Sequence, residues 1–337
     1  MTASRQTPAK LDPGSEVRAK RSHEMAPGGR YSAMESRLQD GEIVLLDGGT
    51  GTELEKRGAV MDPAAWCGPA TLDNAEVLKD VHLDYISSGA DIITTNTYAS
   101  SRLMLEPAGC GDRFEEINRA AVTAAHEARD LSGRADVLVA GSLSHMCPIA
   151  AGTDRADADR EPPVEVMREA FDELAMLLRD TGCDLILLEM MYCPRRVPLA
   201  FEAALATGLP VWAGFSARRD ERGEVVGFGR DACVPLADIL SVLEWGEVEA
   251  AGLMHTAADV VADAISVLRE RYPGMLMAYP DSGYFRMPNW QFDDIIEPEA
   301  LVGFARGWVD NGVQILGGCC GLSPDHIAAL HHAFRGR

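Results

Sequence analysis

Two adjacent cysteines set between glycines, Gly317-Gly318-Cys319-Cys320-Gly321, have the clearest capacity for chemistry in this 337-residue chain. Neighbouring side chains of an extended strand point to opposite faces, so both sulfurs can meet one ion only where the backbone leaves β geometry. The flanking glycines permit that departure. Soft thiolates suit tetrahedral Zn2+, and a catalytic zinc keeps its fourth position open for water or substrate. A third protein ligand is then needed. His255, in Leu253-Met254-His255-Thr256, would complete a Cys2His set, with Cys147 and Cys193 as competitors. Cys67, Cys110, Cys183 and Cys233 read as packing or loop residues, and His326, His331 and His332 as helix surface.

A second group of residues suits an amino acid. Asp47-Gly48-Gly49-Thr50-Gly51-Thr52-Glu53 lacks the third glycine of a dinucleotide turn and the Lys-Thr of a nucleotide loop. Its better use is close approach of backbone to a small ligand, with amides of Gly48 and Gly49 offered to a carboxylate and Asp47 to an ammonium. Glu189 ends an otherwise apolar run. A carboxylate there is costly unless a cation or donors meet it, which makes it a second partner for an α-amino group or, alternatively, a structural cap on a loop. Thr95-Asn96-Thr97-Tyr98 adds amide, hydroxyl and phenol groups.

These residues all follow short apolar runs, and the runs define the frame. Ile43 to Leu46, Asp91 to Thr95, Val137 to Ala140, Leu185 to Leu188, Val211 to Phe215, Ala250 to Met254, Met275 to Tyr279 and Val313 to Leu316 are eight expected strands. Helix-period stretches separate them; in Val166 to Leu178, residues Met167, Ala170, Phe171, Leu174, Leu177 and Leu178 make one apolar face. Asp73 with Glu76 and Thr256 with Asp259 have capping-box spacing, and Ser323-Pro324 places a cap before a proline. Gly89, Gly182, Gly208, Gly274 and Gly312 are stop signals. Eight strands, each followed by a helix, predict an α/β chain with a single (β/α)8 TIM barrel over 41–337, whose chemistry lies at the C-terminal strand ends.

Composition limits the partners. Apolar residues make up 47% and charged residues 25%, as in a globular chain, and the net charge of −21 repels nucleic acid and anionic membrane. Small molecules are the expected partners. No run approaches the length needed to cross a bilayer. Eight cysteines without a regular framework, and no apolar leader, point to a reducing cytoplasm. Residues 1–40 lack apolar periodicity and carry more basic than acidic groups, so they read as a flexible, disordered extension.

The motifs DGGTGTELEKRG (47–58), ADIITTNTYAS (90–100), LILLEM (185–190), YPDSG (279–283) and GGCCG (317–321), in this order, resemble the zinc-dependent homocysteine S-methyltransferases, a (β/α)8 family that includes betaine- and S-methylmethionine-homocysteine methyltransferases. The resemblance implies that Cys319 and Cys320 bind zinc and that Asp47, the Gly48-Gly49 backbone and Glu189 hold the amino-acid part of homocysteine. It also implies that Tyr98 and Trp66 contact the methyl donor. Tyr284, Phe285 and Trp290 are further aromatics available to a cationic donor. Strand six of the family ordinarily ends in Asn-Cys, the cysteine being a zinc ligand, where this chain has Met254-His255; Gly141 to Pro148, with His145 and Cys147, also departs. The expected reaction is methyl transfer from a sulfonium or betaine to the homocysteine thiolate, giving methionine. Another thiol or donor, or a decayed binding barrel, stays open. So does self-association into a homo-oligomer.

Overall fold

The computed structural model describes residues 29–229 and 233–336. Eight parallel strands form the barrel: β1 (Val44–Leu45), β2 (Ile92–Thr94), β3 (Leu138–Ser144), β4 (Leu185–Met191), β5 (Val211–Phe215), β6 (Val248–Ala257), β7 (Met275–Asp281) and β8 (Val313–Leu316). Each contains or overlaps one of the eight apolar runs. The sheet runs β1-β8-β7-β6-β5-β4-β3-β2, and the bridge from Leu46 to Ile92 closes the ring.

Alternation along the strands divides two apolar layers. Val44, Leu46, Ile92, Leu138, Leu185, Leu187, Trp212, Ala250 and Ile315 fill the barrel interior, whereas Leu45, Ile93, Val139, Ile186, Leu188, Ala213 and Leu316 pack outward under the helices. Both faces of a parallel strand are thus buried, which is why the runs are continuous in sequence instead of alternating. The helix read from Val166 to Leu178 lies within Val164–Asp180 and buries all six of the residues named for its face.

Three local expectations are corrected. The helix after β1 that begins at Ala75 is entered from Asn74, and that after β6 begins at Ala258; neither has a side-chain cap, so Asp73 and Thr256 do not cap them. Thr256 Oγ1 is used elsewhere, accepting from Ala217 N at 3.0 Å and donating to Met254 O at 2.8 Å. Ser323 does cap its helix (Pro324–Arg335), but its partner His326 is buried, not surface, with Nδ1 beside Ser323 and Nε2 2.7 Å from Ile296 O.

The disordered extension assigned to 1–40 is too long. Residues 1–28 lie outside the described residues, while Arg30–Gln39 form helix α1, which buries Tyr31, Met34 and Leu38 against the interior layer. Tyr31 Oη accepts from Trp212 Nε1 at 2.9 Å and donates to Glu249 at 2.7 Å, so α1 plugs the N-terminal mouth of the barrel. The three apolar residues sit at i, i+3 and i+7, a stripe too narrow to stand out among ten polar-rich positions. Beside the plug the fully buried Asp91 accepts from Leu45 N at 3.0 Å and pairs with Arg37 at 3.1 Å, Arg134 at 3.5 Å and Arg335 at 2.5 Å. This network ties α1, β1, β2 and the last helix together. Replacing Met34 by Ala is expected to cost about 2 to 5 kcal/mol by opening a cavity under the plug. The urea midpoint measures this; an unchanged midpoint would show that α1 does not support the barrel.

Candidate active site and metal centre

The C-terminal mouth is built where strands stop being regular. Between Met254 and Ala257, β6 carries one residue more than its partner β7, and at that bulge His255 adopts φ +42°. Strand β4 is bulged in the same way after Leu188, where Met190 has φ +58°. Trp66, at φ +46°, is the third non-glycine residue of the cavity in the left-handed region. Such backbone is costly in isolation and persists where tertiary packing imposes it, a pattern concentrated at functional sites.

After β8 the chain folds back on itself through Gly317-Gly318-Cys319-Cys320-Gly321. Gly318 N bonds Asp47 O at 2.9 Å, Cys319 N bonds Pro280 O at 2.7 Å and Ser282 N bonds Cys320 O at 3.0 Å, which stitches this turn to the ends of β1 and β7. The glycines are required by close approach: a Cβ on Gly49 would stand 2.8 Å from Cys319 O, and one on Gly321, at φ +80°, 2.0 Å from Ser282 O. With the strand geometry broken, the two vicinal sulfurs lie on one side, 3.8 Å apart, and Cys319 Sγ is 3.7 Å from His255 Nδ1. The ligand atoms of His255, Cys319 and Cys320 all lie within 4.8 Å of one another.

Among the described residues this trio is the cluster able to hold a metal; Cys147 and Cys193 are not part of it. The Cys147 sulfur is turned to Met167 and the His145 carbonyl, and Cys193 N, with Tyr192 N, donates to His145 Nε2. His145 is therefore a scaffold for the loop after β4. Cys320's sulfur and burial push the Cys319 thiol well above its ordinary value, so the pair calls for a cation before both can ionise. Burial opposes protonation of His255, yet Asp281 and Cys319 lift it to about 9.

The carboxylates stand in the same cavity. Asp47, at the end of β1, accepts from Thr94 N at 2.6 Å and Thr94 Oγ1 at 2.8 Å, while Glu189 accepts from Ser142 Oγ. Burial dominates both: it raises Asp47 to about 8 and Glu189 to about 7, with Glu189 adding to the rise at Asp47. Two buried carboxylates pushed upward by desolvation are a site for a cation. The nearby turn is only partly available, since Gly49 N already bonds Leu322 O at 3.1 Å, and a Cβ on Gly48 would meet Leu322 O at 2.5 Å. The turn's small residues thus serve backbone packing as well as any ligand. Asn96 lines the cavity but spends its amide N–H groups on Cys67 O and Thr71 Oγ1, so it holds the loop that carries Trp66.

Aromatic side chains line the same cavity. Trp66 meets Tyr98 edge-on at 6.0 Å and Phe285 at 5.5 Å, Phe285 faces Trp290 at 6.3 Å, and Trp290 abuts His255 at 5.5 Å. Phe228, 5.0 Å from His255, and Tyr192 continue this lining. Tyr284 belongs elsewhere: it is exposed and does not line the cavity. Tyr279 Oη and Trp66 Nε1 are buried with no hydrogen-bond partner among the described residues. Sequence reading missed Tyr192, Phe228, Tyr279 and Asp281. For Tyr279 and Asp281 a signal existed, because Tyr279 ends an expected strand and Asp281 lies two residues beyond it; Tyr192 and Phe228 lie in loops that only the fold brings inward.

No helix among the described residues is long and apolar enough to cross a membrane. A family model described as homocysteine S-methyltransferase matches residues 44–334. The chain is 26% identical over 324 residues to a selenocysteine Se-methyltransferase of Brassica oleracea var. italica, covering 89% of this chain and 91% of the relative. It is 28% identical over 310 residues to the homocysteine S-methyltransferase of Escherichia coli strain K12, covering 87% and 96%. The crystal structure of the metallated form of the homocysteine methyltransferase MmuM from Escherichia coli shares the fold, with a TM-score of 0.69 at 24% identity over 90% of this chain and 99% of that one. Matched from its first barrel strand to its last helix, the chain belongs to the homocysteine S-methyltransferase family of methyl-transferring enzymes.

Proposed function

We propose that this protein binds Zn2+ through His255, Cys319 and Cys320 and moves a methyl group from an onium donor, a sulfonium such as S-methylmethionine or a betaine, to the thiolate of homocysteine, giving methionine. The observation that carries the reading is the spacing of the three ligand atoms. A tetrahedral zinc with bonds of about 2.3 Å to sulfur and about 2.0 to 2.1 Å to nitrogen has S–S edges of about 3.8 Å and S–N edges of about 3.6 Å. The sulfurs here are 3.8 Å apart and the nearer S–N pair 3.7 Å. His255, Cys319 and Cys320 would hold the zinc and leave a position for the substrate sulfur. When bound, zinc supplies a lowered pKa to that thiol, so that a thiolate forms near neutral pH.

The protein's own groups do the rest. Asp47 and Glu189 take the substrate α-ammonium and fix its amino-acid end against the Gly48-Gly49 turn. Trp66, Tyr98, Phe285 and Trp290 exclude water and receive the onium group through cation–π contacts, each worth about 0.5 to 2 kcal/mol. The thiolate forms its bond to the methyl carbon as the carbon's bond to the donor sulfur or nitrogen breaks. That bond's electrons stay on the leaving atom, which departs neutral. Alignment of the three atoms in line is the barrel's contribution to rate. The acidic surface supports small molecules as partners in preference to nucleic acid or membrane, and the eight free thiols support a reducing cytoplasm. The homo-oligomer remains a proposal, read by light scattering.

Three outcomes are expected. Purified protein should hold about one zinc per chain, and His255→Ala should weaken zinc binding at least about tenfold; metal analysis that finds none sinks the enzyme reading in favour of a binding barrel. Mass spectrometry of sulfonium and betaine donors crossed with homocysteine, selenocysteine and other thiols should give methionine from homocysteine. Product from another acceptor alone would replace the substrate while keeping the chemistry. Because Asp47 and Glu189 are raised to about 8 and about 7, they must shed protons to meet an ammonium. Affinity should therefore fall as pH drops through this range, by up to about tenfold per unit per group. Methionine, which has no thiol to titrate, is the probe: calorimetry in two buffers should show proton release at pH 7, and a flat affinity from pH 6 to 8 would contradict the assignment.

A further inference from the structure

We propose that Asp281 is the positioning residue of the metal centre, a carboxylate that lets an imidazole serve at strand six. The inference rests on the proposed ligand set and goes beyond it. The two ring nitrogens of His255 face different partners: Nδ1 lies 3.7 Å from Cys319 Sγ, and Nε2 lies 3.6 Å from Asp281 Oδ2. Nδ1 is therefore the nitrogen on the side of the sulfurs, and Nε2 faces the carboxylate at ion-pair distance.

The backbone fixes this arrangement. The extra residue in β6 between Met254 and Ala257 swings His255 into the cavity and brings Ala257 level with Asp281 on β7. The ring is further held edge-on between Phe228 at 5.0 Å and Trp290 at 5.5 Å. A ligating histidine whose second nitrogen meets a carboxylate is fixed in tautomer and orientation and is a more basic donor.

Charge gives the second reason. Two thiolates neutralise a divalent ion, and a third would add negative charge that imidazole does not. Asp281 returns that charge one shell further out, at 3.6 Å from the ring. The imidazole on β6 is thus paired with a carboxylate on β7, and the two residues act as one unit.

The test is a double-mutant cycle on the full chain, read by Zn2+ affinity in competition with a chromophoric chelator and by the visible spectrum of the Co2+ form. Asp281→Asn is expected to weaken zinc binding about 10- to 100-fold and to shift the cobalt bands. In the His255→Cys background the same change should have little effect, because the third thiolate supplies its own charge and has no second nitrogen to orient. Asp281→Glu moves the carboxylate without removing it, and should retain more affinity than Asp281→Asn. An unchanged affinity in Asp281→Asn overturns the inference, as does an equal loss in both backgrounds, which marks damage to β7 and not positioning. A wild-type protein that takes up no Zn2+, or whose affinity ignores His255→Ala, overturns the ligand set itself.

Discussion

The site depends on one geometric constraint: donor atoms carried by one strand and by two successive residues just beyond the end of another must converge to within a coordination radius. Regular β structure forbids this, since successive side chains diverge across the sheet. The chain meets the constraint with a glycine-flanked reversal after β8 and an inserted residue in β6 that drives His255 to φ +42°. Both irregularities lie at the C-terminal mouth, where a broken strand end costs the barrel few ladder bonds. Bulges that re-aim a side chain recur next to active sites for this reason.

Burial makes the converged groups chemically useful. Asp47, Glu189, Cys319 and His255 share a cavity also lined by aromatic side chains, and because they are largely buried each charge is felt strongly. Without cations such a cluster is unfavourable, as the upward shifts of Asp47 and Glu189 show. In the proposed reaction positive charge arrives as an amino acid's ammonium and an onium methyl. On that proposal the pocket is matched to cationic ligands at a cost to its own stability, a conflict common at functional sites.

The opposite mouth is closed by apolar packing and buried ion pairs. There α1 closes the interior with Tyr31, Met34 and Leu38, and Asp91 gathers three guanidinium groups and a backbone amide. A buried carboxylate so fully paired contributes order where no ligand has to enter. Strand starts therefore hold the barrel together while strand ends are free to vary, which is the division the (β/α)8 fold imposes.

Much of this was legible in the order of residues. The eight strands follow from continuous apolar runs, since a parallel strand buried on both faces leaves no other pattern. The candidate residues Cys319, Cys320, His255, Asp47 and Glu189 follow from their place just beyond those runs. What could not be read there was anything set by contact between distant segments. The partner of His255 is Asp281 on the neighbouring strand, the hydroxyl of Thr256 is taken by Ala217 N and Met254 O instead of a cap, and α1 is helical because the open barrel end offers its three apolar residues somewhere to pack. Local pattern records which side chains avoid water; which of them meet, and through which atom, is decided when the ring closes and backbone hydrogen bonds fix every strand against the next.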